Sequence, residues 1–273
     1  MNNKSIFIAA AIAASSVAFI APSAQAATVV TFPMSTVGIG TSTGREYTVT
    51  VGLTTVKVRA TAWSTSSTAP NGLIQGGALG VYSTNGFGVT NSTEPSTSPH
   101  HTVDNSVNKD FIIFQFDQPV QLVSGQFTTY DVGSGKYDSD ATVAYGNTNI
   151  GWQSSLALNN GTYAQLSTLF GNSFNTVASA STSNQTTATK LLNTSGNVGN
   201  IWLVGAAFNN PNENCGSGQN ACLDGFKLSQ LKVVAAIPEP STWMMMILGF
   251  GLIGMTVRRR KQVGNANLAL TAG

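Results

Sequence analysis

Two sets of carboxylates have the residue types and spacing to do chemistry. Asp138 and Asp140 lie two residues apart, with Asp131 upstream. On an extended chain alternate side chains face one way, so this pair could share a Ca²⁺ ion with backbone carbonyls. Asp104, Asn105 and Asp110 form a second oxygen-rich set. Neither set follows the EF-hand spacing. The competing reading is that each carboxylate caps its own turn. Asp104, Asp138 and Asp140 are the first residues expected to hold a calcium ion, and no other cofactor is expected.

Nucleophilic or acid–base catalysis has thinner support. His100 and His101 stand just before Asp104 and could supply a base and its orienting partner. Adjacent residues of an extended chain point in opposite directions, so at most one of them could serve. The default is a pair of loop histidines with ordinary hydrogen bonds. No G-x-S-x-G, H-E-x-x-H or phosphate-cradling glycine motif occurs. The expectation is a non-enzymatic protein.

Aromatic residues offer a third chemistry, stacking on sugar rings. Trp202 falls in an apolar run and reads as core, whereas Trp152, between Gly151 and Gln153, is the better candidate for an exposed ligand-binding ring. The cysteines, Cys215 and Cys222, bracket a short polar loop. In an oxidising compartment they are expected to form a disulfide, since no nearby histidine completes a metal site. So small a ring contributes about 2 kcal/mol.

The elements that must position these residues read as short strands. Thr54 to Thr61 alternates Val56, Val58 and Ala60 against Lys57, Arg59 and Thr61. Asp110 to Asp117 is nearly all apolar, as for a central strand covered on both faces, and Pro119 is expected to end it. Ala78 to Tyr82, Ala141 to Tyr145 and Ile201 to Phe208 read as further strands. Asp224 to Val234 reads as the last, with a bulge near Gln230 and with Lys227 and Ser229 facing outward. Leu156 to Phe174 has no clear period, and Thr176 to Thr189 reads as an exposed loop or edge. Strand spacing of roughly ten residues, with Gly and Asn turns, predicts an all-β antiparallel β-sandwich, jelly-roll-like, for residues 27–236.

The chain ends bracket this domain. Residues 1–26 carry Lys4, an apolar run and Ala24-Gln25-Ala26, which is the pattern of a signal peptide cut by signal peptidase between Ala26 and Ala27. Between the two ends, 8 basic residues face 10 acidic ones, so the exported part has no basic surface for nucleic acid. At the other end Pro238-Glu239-Pro240 is a stiff, extended triplet. Residues 242–257 are apolar, and a helix of that length reaches roughly 24 Å, short of the ~30 Å hydrocarbon core. Length alone leaves an interfacial or buried helix open. Trp243 and the cations Arg258, Arg259, Arg260 and Lys261 favour a transmembrane helix with a basic stop-transfer run facing the cytoplasm, followed by a short cytoplasmic tail over residues 262–273.

The order of these parts resembles the PEP-CTERM sorting signal of Gram-negative bacteria, here over residues 237–261. Pro238-Glu239-Pro240, Trp243, Gly249-Phe250-Gly251 and Arg258 to Arg260 carry the likeness. Gly86-Phe87-Gly88-Val89-Thr90-Asn91, His101 to Asn105 and Asp110-Phe111 are similar to the ectodomains of exosortase-dependent surface proteins, with Asp224 to Leu231 as a closing strand. The resemblance implies an exosortase, a membrane transpeptidase, as partner. It also implies a transient stay in the inner membrane, then delivery to the cell surface or extracellular matrix. The expected role is a surface protein associated with exopolysaccharide and biofilm. Alternatives are a carbohydrate-binding module and a polysaccharide-acting hydrolase.

Overall fold

The computed structural model describes residues 27–94, 101–133, 135–208, 223–235, 247–255 and 258. The chain forms β1 (Val29–Pro33), β2 (Ile39–Thr41), β3 (Gly44–Val51), β4 (Thr54–Thr65), β5 (Ile74–Gly76), β6 (Ala78–Tyr82), β7 (Gly86–Thr90), β8 (Val103–Asp104), β9 (Lys109–Thr129) and β10 (Ala141–Gly146). After helix α1 (Tyr163–Leu169) come β11 (Asn175–Val177), β12 (Thr187–Leu191), β13 (Gly199–Ala206) and β14 (Gly225–Ala235). The expected all-β, antiparallel character holds. The pairing forms one continuous sheet with the path β11-β10-β13-β9-β14-β7-β6.

Strand β9 is the axis of this sheet. Its first half pairs with β4 on one side and β13 on the other, and its second half pairs with β14 and β12. Alternation explains why the run needs apolar residues at every position. Ile112, Phe114 and Phe116 enter a large core with Val58, Leu122 and Leu231. Phe111 and Ile113, on the other face, enter a second core with Trp63, Ile201, Leu166 and Phe170. Helix α1 covers that second face. It begins in the segment whose period the sequence leaves open, at a capping box in which Thr162 and Gln165 satisfy each other's backbone amides.

Pro119 does not end the strand. Residues 117–119 pair with no neighbouring strand, so the missing proline N–H is not needed there. Side chains take over instead: the Lys57 N–H donates to Asp117 Oδ1 at 2.9 Å, and Gln118 Nε2 donates to the Thr55 carbonyl at 2.8 Å.

The last strand carries the expected bulge between Leu228 and Gln230. Strand β14 lies between β9 on one edge and β1, β7 and β8 on the other, and Lys227 and Ser229, expected outside, are buried: the Tyr82 and Tyr130 rings cover Lys227, and Ser229 Oγ donates to Gln126 Oε1 at 2.8 Å. Lys227 Nζ sits 3.9 Å from the Tyr82 ring centre and 4.5 Å from that of Tyr130. The stretch from Thr176 to Thr189 is mostly exposed and holds parts of the short edge strands β11 and β12.

Two glycines in β7 are dictated by close backbone approach. Gly86 has φ near 89°, and a Cβ there would stand 2.0 Å from the Leu228 carbonyl oxygen. A Cβ on Gly88 would stand 1.8 Å from the His101 carbonyl oxygen. The Gly-Phe-Gly spacing thus lets β7 press against β14 and the segment leading into β8.

Residues 247–255 and 258 are helical, and Ile247, Phe250, Leu252, Ile253 and Met255 are exposed. Residues 242–246 and 256–257 of the expected span lie outside the described residues. No helix among the described residues is long and apolar enough to cross a membrane.

Candidate functional site

Six of the ten acidic residues between Ala27 and Ala236 gather into two triads. Both flank the point where β8 meets β14, with Asp104 opposite Gly225. The first triad is Glu94, Asp104 and Asp110, and the second is Asp138, Asp140 and Asp224. In each, one oxygen from every carboxylate lies within 4.8 Å of the others.

The second triad is supplied with donors. Ser179 Oγ donates to Asp138 Oδ1 at 3.0 Å and the Ser139 N–H donates to the same oxygen at 2.6 Å. The Asp140 N–H donates to Asp224 Oδ1 at 2.9 Å, and Asn105 Nδ2 donates to Asp224 Oδ2 at 2.8 Å. Burial, then the Asp140 and Asp138 carboxylates, push the Asp224 carboxyl well above its usual range. Burial also raises Asp140, and the ammonium of Lys190 opposes that rise. This is the arrangement of a polar network that fastens the loop around Ser179 to the start of β14.

The first triad is supplied differently. Asp104 accepts from Thr102 Oγ1 at 2.9 Å and from the Ser106 N–H at 3.0 Å. Asn91 Nδ2 reaches Asp110 Oδ1 at 3.2 Å. Asp110 Oδ2 and both Glu94 carboxylate oxygens are enclosed and accept no well-formed hydrogen bond among the described residues. Burial, then the Asp104 and Glu94 carboxylates, raise Asp110 well above its ordinary range. Glu94 is pushed up to about 7, chiefly by burial and then by Asp104. No Lys or Arg among the described residues offsets either group.

The structure thus unites Asp104 with Asp110, and Asp138 with Asp140, as the sequence suggests, but divides Asp104 from the other pair. Asn105 serves the second triad rather than the first. Asp131 caps its own turn, with Oδ1 accepting from the N–H groups of Gly133 and Gly135. Glu94 and Asp224 are members that spacing does not reveal. His101 lies against Tyr82, ring centres 5.8 Å apart, and its Nδ1 has no partner among the described residues. His100, Cys215, Cys222, Ala24 and Ala26 lie outside the described residues, as do Pro238, Glu239, Pro240, Trp243, Arg259, Arg260 and Lys261.

Clefts lie on the sheet among the described residues. One, of about 320 Å³, is bordered by Tyr145, Asn175, Asn193, Thr194 and Asn197, with the buried Trp202 beneath. Another, of about 470 Å³, is bordered by Arg59, Trp63, Ser155 and Asn159. Trp152 is half-buried and borders neither.

Comparison with known proteins bears on the tail. The family model described as the PEP-CTERM protein-sorting motif matches residues 236–261. The chain carries a PEP-CTERM sorting signal. The match begins one residue after β14 ends at Ala235, so the signal follows directly on the β domain. It contains Pro238, Glu239, Pro240, Trp243 and the basic run Arg258 to Lys261. A PEP-CTERM protein is sorted to the cell envelope or surface with an exosortase as its processing partner. No curated protein matches the chain.

Proposed function

We propose that this chain is a non-enzymatic surface protein of the extracellular polysaccharide matrix. Signal peptidase removes residues 1–26, residues 242–257 hold the export intermediate in the inner membrane, and exosortase cuts at the Pro238-Glu239-Pro240 triplet to free the β domain. The PEP-CTERM motif at residues 236–261 is the observation that carries this reading.

The matrix association is supported by the cleft above Trp202. Asn175, Asn193 and Asn197 offer amide donors and acceptors beside the Tyr145 ring, and amides beside an aromatic face suit a sugar. The non-enzymatic part is supported by the surroundings of Asp104. Its oxygens accept from Thr102 and Ser106, while His101 stacks on Tyr82. Cell fractionation tests the proposal. In wild-type cells the protein should be recovered with the polysaccharide, and in cells lacking exosortase it should stay in the inner membrane. Recovery from the same fraction in both strains would refute it. Binding to isolated polysaccharide should weaken at least tenfold in Tyr145→Ala, with no release of reducing ends over time.

A further inference from the structure

We propose that Glu94, Asp104 and Asp110 bind one Ca²⁺ ion together with Ser64. The inference rests on where unsatisfied oxygens collect. Asp110 is fully enclosed, yet its Oδ2 accepts no hydrogen bond, and both oxygens of Glu94 accept none of full geometry among the described residues, although amide groups of Asn91 and Asn108 stand close to Glu94. Ser64 supplies an independent sign. Its Oγ is unpartnered and the residue is 1 % exposed. Ser64 on β4 stands directly opposite Asp110 on β9. Cross-strand partners project to the same face of a sheet, so this hydroxyl shares the face of the Asp110 carboxylate.

Buried polar atoms without partners are rare, and several in one place call for a shared partner. Here that partner must carry positive charge. Three carboxylates meet, and no Lys or Arg among the described residues offsets Glu94 or Asp110. The donors are all oxygen, which selects hard cations over zinc or copper. Carboxylate oxygens all within 4.8 Å of one another fit around one Ca²⁺, whose opposed ligands stand roughly 4.6–5.2 Å apart. Mg²⁺ draws its ligands closer and keeps most of its water, which an enclosed site does not favour. The second triad differs in its donors and its charge: Ser179, Asn105 and backbone amides occupy its oxygens, and Lys190 stands nearby.

The site joins three pieces of chain: the segment just after β7, strand β8 and the start of β9. A bound ion would hold that corner. The test is calorimetric titration of CaCl₂ into the intact protein, stripped with EDTA and held in detergent, with thermal unfolding measured alongside. The expected result is one Ca²⁺ per chain, a raised Tm, and Mg²⁺ at least tenfold weaker. Glu94 is the one member of the triad that is not fully buried, so Glu94→Gln is the variant least disruptive to folding. It and Asp110→Asn should weaken Ca²⁺ at least tenfold. The absence of binding heat and of a Tm shift in the stripped wild-type protein would overturn the proposal. So would undiminished binding in Glu94→Gln, or loss of binding in Asp138→Asn instead.

Discussion

Asn105 and Asp224, 119 residues apart in sequence, grip each other through three hydrogen bonds. Asn105 Nδ2 donates to Asp224 Oδ2 at 2.8 Å, the Asp224 N–H donates to Asn105 Oδ1 at 2.8 Å, and the Asn105 N–H donates to the Asp224 carbonyl at 3.2 Å. The clasp locks β8 against the start of β14, between the two carboxylate triads. Asn105→Ala removes the side-chain half and leaves a buried carboxylate short of a donor. A loss of about 2–3 kcal/mol is expected in urea unfolding. A loss under about 0.5 kcal/mol, the level of an ordinary surface change, would show that the clasp is incidental.

The first triad predicts an inverted acid response. Glu94 holds its proton in the folded protein up to about pH 7, against 4.5 for an ordinary glutamate. The folded state therefore binds more protons than the unfolded state between those values, and stability falls as pH rises through that window. Asp110, raised in the same direction by burial, adds to the fall. After allowance for the screening of a half-buried group, Glu94 contributes about 1–2 kcal/mol of this change. Thermal unfolding in EDTA from pH 4.5 to 7 should show the decline, Glu94→Gln should flatten it, and saturating Ca²⁺ should abolish it. A flat wild-type profile in EDTA contradicts the assignment.

Lys227 between Tyr82 and Tyr130 predicts a charge effect separable from packing. A partly desolvated cation over an aromatic face is worth about 1–2 kcal/mol. Lys227→Met keeps the apolar stem and removes the charge, so it should lose about that much in urea unfolding, and Lys227→Ala should lose more. A methionine variant as stable as wild type would show that only the stem matters.

Gly86 predicts the steepest loss. Any side chain there meets the Leu228 carbonyl oxygen and must also accept φ near 89°. Gly86→Ala should cost upwards of about 3 kcal/mol and reduce recovery of folded protein, read by circular dichroism and expression yield. Gly52 also has a positive φ, 61°, but nothing within 4 Å, so Gly52→Ala should cost about 1 kcal/mol. Equal losses at both positions would remove the contact argument.

Much of this was legible in the sequence because local patterns carry it. Alternation marked β4, the unbroken apolar run marked the strand with two covered faces, and the disturbed alternation near Gln230 marked the bulge. What stayed hidden depends on long-range pairing. Glu94 sits in a Ser, Thr and Pro stretch with no sign of its partners, and it meets Asp110 only because β7 and β8 fold back on β9. Asp224 joins Asp140 through the pairing of β14 with β8 and β9. Lys227 looks solvent-facing because its alternation is that of a half-exposed strand, while the Tyr82 and Tyr130 rings, distant in sequence, cover it. Pro119 was a false stop, since side chains at Asp117 and Gln118 carry the contacts that backbone groups normally make.

The central claim is that residues after Ile237 are a sorting label cut away by exosortase. Mass spectrometry of the mature protein's C-terminus, from the native host and from the same host without exosortase, tests it most directly. The account predicts a chain ending at or near Pro238 to Pro240 in the first case, and a chain retaining Arg258 to Lys261 in the second. An intact, arginine-bearing C-terminus in cells with working exosortase would contradict it.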